Sequence, residues 1–339
     1  MSKLAICQVA DQGPFESLAM MLKEAGYELA FPDGALSRKL RSIGCDLILE
    51  VDDLVRGMGY ERPFVTTTVG SQAMSGADLF VDVKAHKDYG RLVAEWPNLD
   101  GKILYYRING CQPEITQKGG DEINLPCPIL TPNLWYKQEG PWSDKAYAMW
   151  PPFYRWGDYL DRHGRVGGGY SSPICLIHNI VGWGYGNLID GVRSLGVRCY
   201  GAGSPDGLVR HEDIPEILSS AICMVHLKSS DAPGYALYEA VAANCPLVVS
   251  RRLIWRCQMQ ELFIPGETCY VFDRETHDGL SSEDVLHFTV EIKEALSRLE
   301  DPAENSRIAT NARARLQELM WRADRDGQGF KDFMNRAFQ

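Results

Sequence analysis

Short apolar runs recur along the chain, separated by segments whose apolar positions repeat every three to four residues. In the first half, "KLAICQVA" (3–10), "YELAFP" (27–32) and "CDLILEV" (45–51) read as buried strands. Between them, "FESLAMMLKEAG" (15–26), closed by Gly26, and "ALSRKLRSIG" (35–44) carry helical spacing. Strand–helix–strand–helix–strand predicts a parallel, doubly wound sheet. Further strands are expected at 63–69, 78–85 and 102–109, with a helix over 86–96.

The pattern breaks over 110–172, a stretch rich in Pro, Gly and aromatic residues that ends in a Gly/Ser connector at 167–172. It predicts loops with a few short elements and a domain boundary near 155–172. The same pattern then restarts. Strands are expected at 174–181, 197–201, 221–227 and 269–273, a glycine-rich turn at 182–186, and helices at 187–196 and 212–220. A helix starting near Tyr235 or Ala236 leads through Cys245-Pro246 into the β-branched run that follows. Long helical segments are expected at 282–301 and 305–324, and a last one at 327–339. The chain therefore reads as α/β, with two doubly wound Rossmann-like domains in series.

Composition narrows the partners. The net charge is −10 over 339 residues, with 16 basic and 21 acidic side chains in residues 1–160 and 19 and 24 in the rest. Neither half is a bulk basic surface for nucleic acid or anionic membrane. The ten cysteines form no CxxC pair and no zinc-spaced cluster. Several sit in apolar runs, which predicts buried thiols and a reducing, cytoplasmic setting. No apolar stretch is long enough for a transmembrane helix, and the start lacks a signal-peptide core.

In open parallel sheets, ligands bind beyond the carboxyl ends of the strands, so the loops there carry the candidate chemistry. "SSDAPGYALYEAVAANCPLVVS" (229–250) follows one expected strand. The backbone N–H groups of Tyr235, Ala236 and Leu237 would open its helix and offer an anion cradle. Gly234 would let a ligand approach the backbone closely. Glu239, expected in the first turn, could accept hydrogen bonds from a ribose diol, and Asp231 could hold sugar hydroxyls. Taken alone, the pair is better accounted for by a carboxylate complementing the helix dipole and a solvated loop residue.

The stretch resembles the nucleotide-sugar signature of GT-B glycosyltransferases, especially the retaining, family 4-like enzymes. Asp231 matches the first acid, Gly234 the loop glycine, Glu239 the ribose-binding Glu, and "AVAANCPLVVS" the helix-to-strand segment. The resemblance implies two Rossmann-like domains facing a cleft, an acceptor domain over 1–160 and a donor domain over 161–325. It also implies a final helix, 326–339, that crosses back to the first domain.

Other loops are weighed in that frame. Gly182, Gly184 and Gly186, followed by Asn187, lie between a strand and a helix and would face donor phosphates. The plain alternative is a tight strand–helix turn. The Arg and Lys that such enzymes place after this strand are missing. Lys228 is the preferred substitute, Arg251 and Arg252 are others, and a solvated loop lysine is the alternative. Gly13 and Asp11, after the first strand, would meet the donor or serve as an acceptor-side base, against simple helix capping. Asp52, Asp53, His86, Arg107, Asn109 and His178 stand out by strand-end position alone. His226 reads as a satisfied core or loop histidine.

The resemblance implies transfer of a sugar from a nucleotide-sugar, a UDP-sugar first, to an unidentified acceptor: small molecule, glycan, protein or modified DNA. It implies no metal and no cofactor. Two alternatives stay open, a phage-type DNA glucosyltransferase acting on hydroxymethylated bases and a non-catalytic nucleotide-sugar binder.

Overall fold

The computed structural model describes residues 3–8, 15–31, 47–48, 76–82, 89–90, 93–94, 96–106, 127–131, 145–148, 150, 171–177, 185–210, 213–228, 235–274, 280–320 and 323–338. The expected helix over 35–44 and strand over 63–69 lie outside them. The chain divides into two compact units, Met1–Arg155 with Trp321–Gln339, and Trp156–Met320.

The first unit is built on strands β1 (Lys3–Gln8), β2 (Tyr27–Phe31), β3 (Leu47–Ile48), β4 (Leu79–Asp82), β5 (Ile103–Tyr106), β6 (Ile129–Thr131) and β7 (Ala146–Ala148). They pair in the order β3-β2-β1-β4-β5-β6-β7, every pair parallel. Helix α1 (Phe15–Glu24) follows β1 and ends at Gly26, whose φ of 91° suits a residue without a Cβ. All four residues of β5, "ILYY", are buried. A parallel strand covered on both faces is apolar throughout, so its sequence shows a run and no alternation. The Pro/Gly/aromatic stretch supplies two strands of this sheet, β6 and β7.

The second unit carries β8 (Ile174–Leu176), α2 (Gly186–Arg193), β9 (Arg198–Tyr200), α3 (Ile214–Ser220), β10 (Met224–His226), α4 (Tyr235–Ala242), β11 (Leu247–Ser250), α5 (Arg251–Arg256) and β12 (Tyr270–Phe272). Helices α6 (Ser282–Leu299) and α7 (Pro302–Leu319) close it, and α8 (Ala323–Ala337) belongs to the first unit. The sheet order is β12-β11-β10-β8-β9, again all parallel. Helices α2 and α6 cover one face: Leu188, Ile189, Val192, Phe288 and Ile292 pack on Cys175, Cys223, Val225 and Val248. Phe288 meets Phe272 edge-on at 5.0 Å.

Local chemistry sets the helix ends. Ser281 and Asp284 form a reciprocal capping box at α6. Helix α7 begins at Pro302, three residues earlier than its apolar spacing suggests, because Asp301 caps it and proline suits the first helical position. Asn244 ends α4 in the left-handed region (φ 56°), and the Cys245 N–H reaches back to the Ala240 carbonyl at 2.8 Å. Helix α5 is not expected from periodicity. It forms because Ser250 accepts from the Leu253 N–H. In the first unit, Phe330 and Phe333 of α8 lie 5.5 and 5.4 Å from the Tyr147 ring on β7. Cys127, Cys175, Cys199, Cys223, Cys245, Cys257 and Cys269 are all buried free thiols. Burial pushes the Cys269 thiol up to about 12, so it stays protonated and unreactive.

Asn305, fully buried on α7, donates at 2.9 Å to the carbonyls of both Leu299 and Ile222. It ties the α6–α7 corner to the chain entering β10. Asn305→Ala removes both hydrogen bonds from a buried position and is expected to cost about 1–3 kcal/mol, read as a lowered urea midpoint with an unchanged slope.

Candidate functional site

Both sheets have a point where the strand order reverses. In the first it lies between β1 and β4, and in the second between β8 and β10. Parallel sheets bind ligands in the crevice at such a point. The segments singled out by sequence lead from those strands: Asp11 and Gly13 after β1, Gly182 to Asn187 after β8, and Lys228 to Glu239 after β10. Asp11, Gly13, Gly182, Gly184, Asp231 and Gly234 lie outside the described residues, as do Asp52, Asp53, His86, Arg107, Asn109 and His178.

The described part of the second unit's site is built as follows. Helix α2 opens at Gly186, where an added Cβ would meet open space. This glycine leaves room in front of the helix start, and tight packing does not explain it. Asn187 is exposed beside it. Helix α4 opens at Tyr235, as its sequence predicts, with Tyr235 and Ala236 half-buried and Leu237 buried. Neither helix has an acidic residue in its first turn, and α5 has none either. By contrast, the helices that follow the two outer strands do: Glu216 in α3, and Glu283 with Asp284 in α6. The partial positive charge of the helix starts is therefore uncompensated by their own first turns only in the middle of the sheet. That pattern suits an anion.

One expectation needs correction, and one alternative falls away. Glu239 is not in the first turn of α4. It is the fifth residue and opens the second turn, four residues below Tyr235 on the same helix face, because a turn holds 3.6 residues. It is also buried, at 7% exposure, so dipole compensation at an exposed helix start does not explain it. Lys228 is not a solvated loop lysine: it is 6% exposed, and burial of so long a cation demands charged or polar company. Of the other two cations considered, Arg251 is half-exposed and pairs with Asp273.

The reading of His226 as a satisfied histidine does not hold. His226 ends β10, is 2% exposed, and neither of its ring nitrogens has a hydrogen-bond partner among the described residues. A buried polar group left unmade costs about 1–3 kcal/mol, so it calls for an explanation. The signal was the alternation around β10: Cys223, Val225 and Leu227 enter the core under α2 and α6, which leaves Met224, His226 and Lys228 to the opposite face.

Residues 186–325 match a family model described as glycosyl transferase-like, and the match begins at the first residue of α2. No curated protein matches the chain. Among solved structures, the chain is similar to an alpha-glucosyltransferase in complex with UDP and a 13-mer DNA containing a HMU base. The identity is 10%, the coverage 99% of this chain and 100% of that chain, and the TM-score 0.57. It is similar to a UDP-glucosyltransferase from Polygonum tinctorium capable of glucosylating indoxyl, with 12% identity, coverage of 99% and 98%, and a TM-score of 0.56. An alpha-glucosyltransferase in complex with UDP-glucose and DNA containing an abasic site gives 10% identity, coverage of 98% and 99%, and a TM-score of 0.55. At such identities the similarity establishes the fold, which is GT-B. No helix among the described residues is long and apolar enough to cross a membrane.

Burial, and then the charge of Lys228, hold the His226 imidazole down to about 3, against about 6.5 for a free histidine. The folded value is the lower one. His226 therefore leaves stability untouched above pH 6.5 and removes it as pH falls from 6.5 towards 3, where only the unfolded chain takes up the proton. Between pH 7 and pH 5, His226→Phe is expected to lose about 2 kcal/mol less stability than the unsubstituted chain, measured by urea unfolding at the two pH values.

Proposed function

We propose, from its GT-B fold and its glycosyl transferase-like domain, that the chain is a glycosyltransferase that moves a sugar from a UDP-sugar to an acceptor hydroxyl, with its second unit holding the donor. The observation that carries this reading is the middle of the carboxyl edge of the second sheet. There, two helix starts without first-turn acids flank the switch point, and a buried lysine follows β10. A nucleoside diphosphate is the anion that fits a glycosyltransferase-like domain at this place.

The roles follow from the chemistry. The first-turn N–H groups of α2 (Gly186, Asn187) and α4 (Tyr235, Ala236, Leu237) receive the diphosphate, with Gly182 and Gly184 allowing its close approach. Lys228 supplies the full positive charge that stabilises the departing diphosphate, the largest contribution expected in such a transfer. Glu239 accepts the ribose hydroxyls, and Asp231 and Gly234 shape the sugar end. In the first unit, the loop that carries Asp11 and Gly13 serves the acceptor, with Asp11 as its base. The reading requires no metal and no cofactor, and it favours retention at the anomeric carbon. UDP is favoured over other nucleotides because the three similar structures were solved with UDP or UDP-glucose or are UDP-sugar enzymes by description.

Hydroxymethylated DNA is a second acceptor reading, suggested by the alpha-glucosyltransferase solved with HMU-containing DNA. The net charge of −10, spread over both halves, weighs against it.

A thermal-shift screen against UDP, GDP, ADP, TDP and their sugars tests the donor. UDP is expected to raise the Tm, and Glu239→Gln to remove most of that rise. A full shift in the variant rules out the ribose role. Lys228→Met is expected to slow UDP release from the preferred UDP-sugar by about 100-fold or more. UDP-sugar binding with no UDP release under any acceptor points to a non-catalytic binder.

A further inference from the structure

Among the described residues, His226 is a buried polar group near the switch point that the donor reading leaves unused. It stands at the carboxyl end of β10, the strand between β11 and β8. Its side chain faces away from the core that α2 and α6 cover, on the side shared with Lys228. Both residues are buried, His226 at 2% and Lys228 at 6% exposure, and the lysine's charge acts on the imidazole. Neither Nδ1 nor Nε2 of His226 has a hydrogen-bond partner among the described residues. A histidine retained only to fill volume would serve no better than an apolar ring, and it leaves two hydrogen bonds unmade. Beside a buried cation the ring stays neutral, so it offers one N–H donor and one acceptor nitrogen.

We propose that His226 is a binding residue of the donor site, donating its ring N–H to a phosphate oxygen of the nucleoside diphosphate beside the Lys228 ammonium. The inference rests on the donor reading above and adds a contact that this reading does not need. A neutral donor next to a charged one suits a diphosphate, whose oxygens outnumber the cations near it. The imidazole thereby takes part of the place of the Arg/Lys pair that the loop after β8 lacks.

The test uses the full chain, with UDP and uridine as probes in calorimetric titrations of the wild type, His226→Phe and His226→Gln. His226→Phe is expected to weaken UDP about tenfold or more while leaving uridine unchanged, since only the diphosphate contact is lost. His226→Gln, which keeps a side-chain N–H, is expected to recover most of the UDP affinity. Equal UDP affinity in wild type and His226→Phe overturns the proposal, and so does a parallel loss for UDP and uridine. If His226→Phe does not fold, nitrogen NMR of the wild-type imidazoles decides. Saturating UDP must shift the His226 ring nitrogens, and unmoved resonances overturn the proposal. A wild type that binds no UDP overturns the donor reading and this proposal together, whereas wild-type binding with an indifferent His226 overturns this proposal alone.

Discussion

Parallel pairing is the constraint on which the rest of this structure depends. Strands that run the same way cannot be joined by a hairpin, so each must be followed by a crossover before the next strand begins. In the second unit the crossovers are helices, and the start of every such helix is gathered at the carboxyl edge of the sheet. The chain then has one free choice, which is what to put in the first turn of each helix. Here the outer helices α3 and α6 carry acids in that turn, and α2, α4 and α5, towards the middle, carry none. The fold supplies the aligned N–H groups, and composition decides where they remain attractive to an anion.

Burial adds what the helix starts lack. Their partial charge is modest and falls off within a turn. Lys228 and Glu239 bring full side-chain functions into the same edge, both in poorly hydrated positions where electrostatic effects are larger than at the surface. Keeping such groups buried is costly to stability, and His226, with two unmade hydrogen bonds, adds to that cost. The unit offsets it elsewhere. The α2 and α6 face is closely packed around Phe272 and Phe288, and Asn305 locks the α6–α7 corner.

Much of this was legible in the sequence for a simple reason. The strands buried on both faces are continuous apolar runs and the helices repeat at their own period, so the parallel α/β class followed from pattern alone. The start of α4 at Tyr235 followed from the Gly-containing loop before it. Short-range chemistry was harder to see. The start of α7 at Pro302 and the existence of α5 rest on single capping residues, Asp301 and Ser250, which periodicity does not weigh. Strands β6 and β7 are three residues each inside a Pro/Gly-rich stretch, too short to stand out without the sheet that pairs with them.

The sequence by itself determined the fold class, the glycosyltransferase resemblance around Glu239 and the segments that lead from the switch-point strands, because these depend on local spacing. Only the tertiary structure decided which polar residues are withdrawn from water. A histidine at the end of a short strand and a lysine two residues beyond it look the same whether the strand's second face is solvated or covered. The covering comes from elements distant in sequence. That burial separates Lys228 from an ordinary surface lysine and leaves His226 with hydrogen bonds still to make.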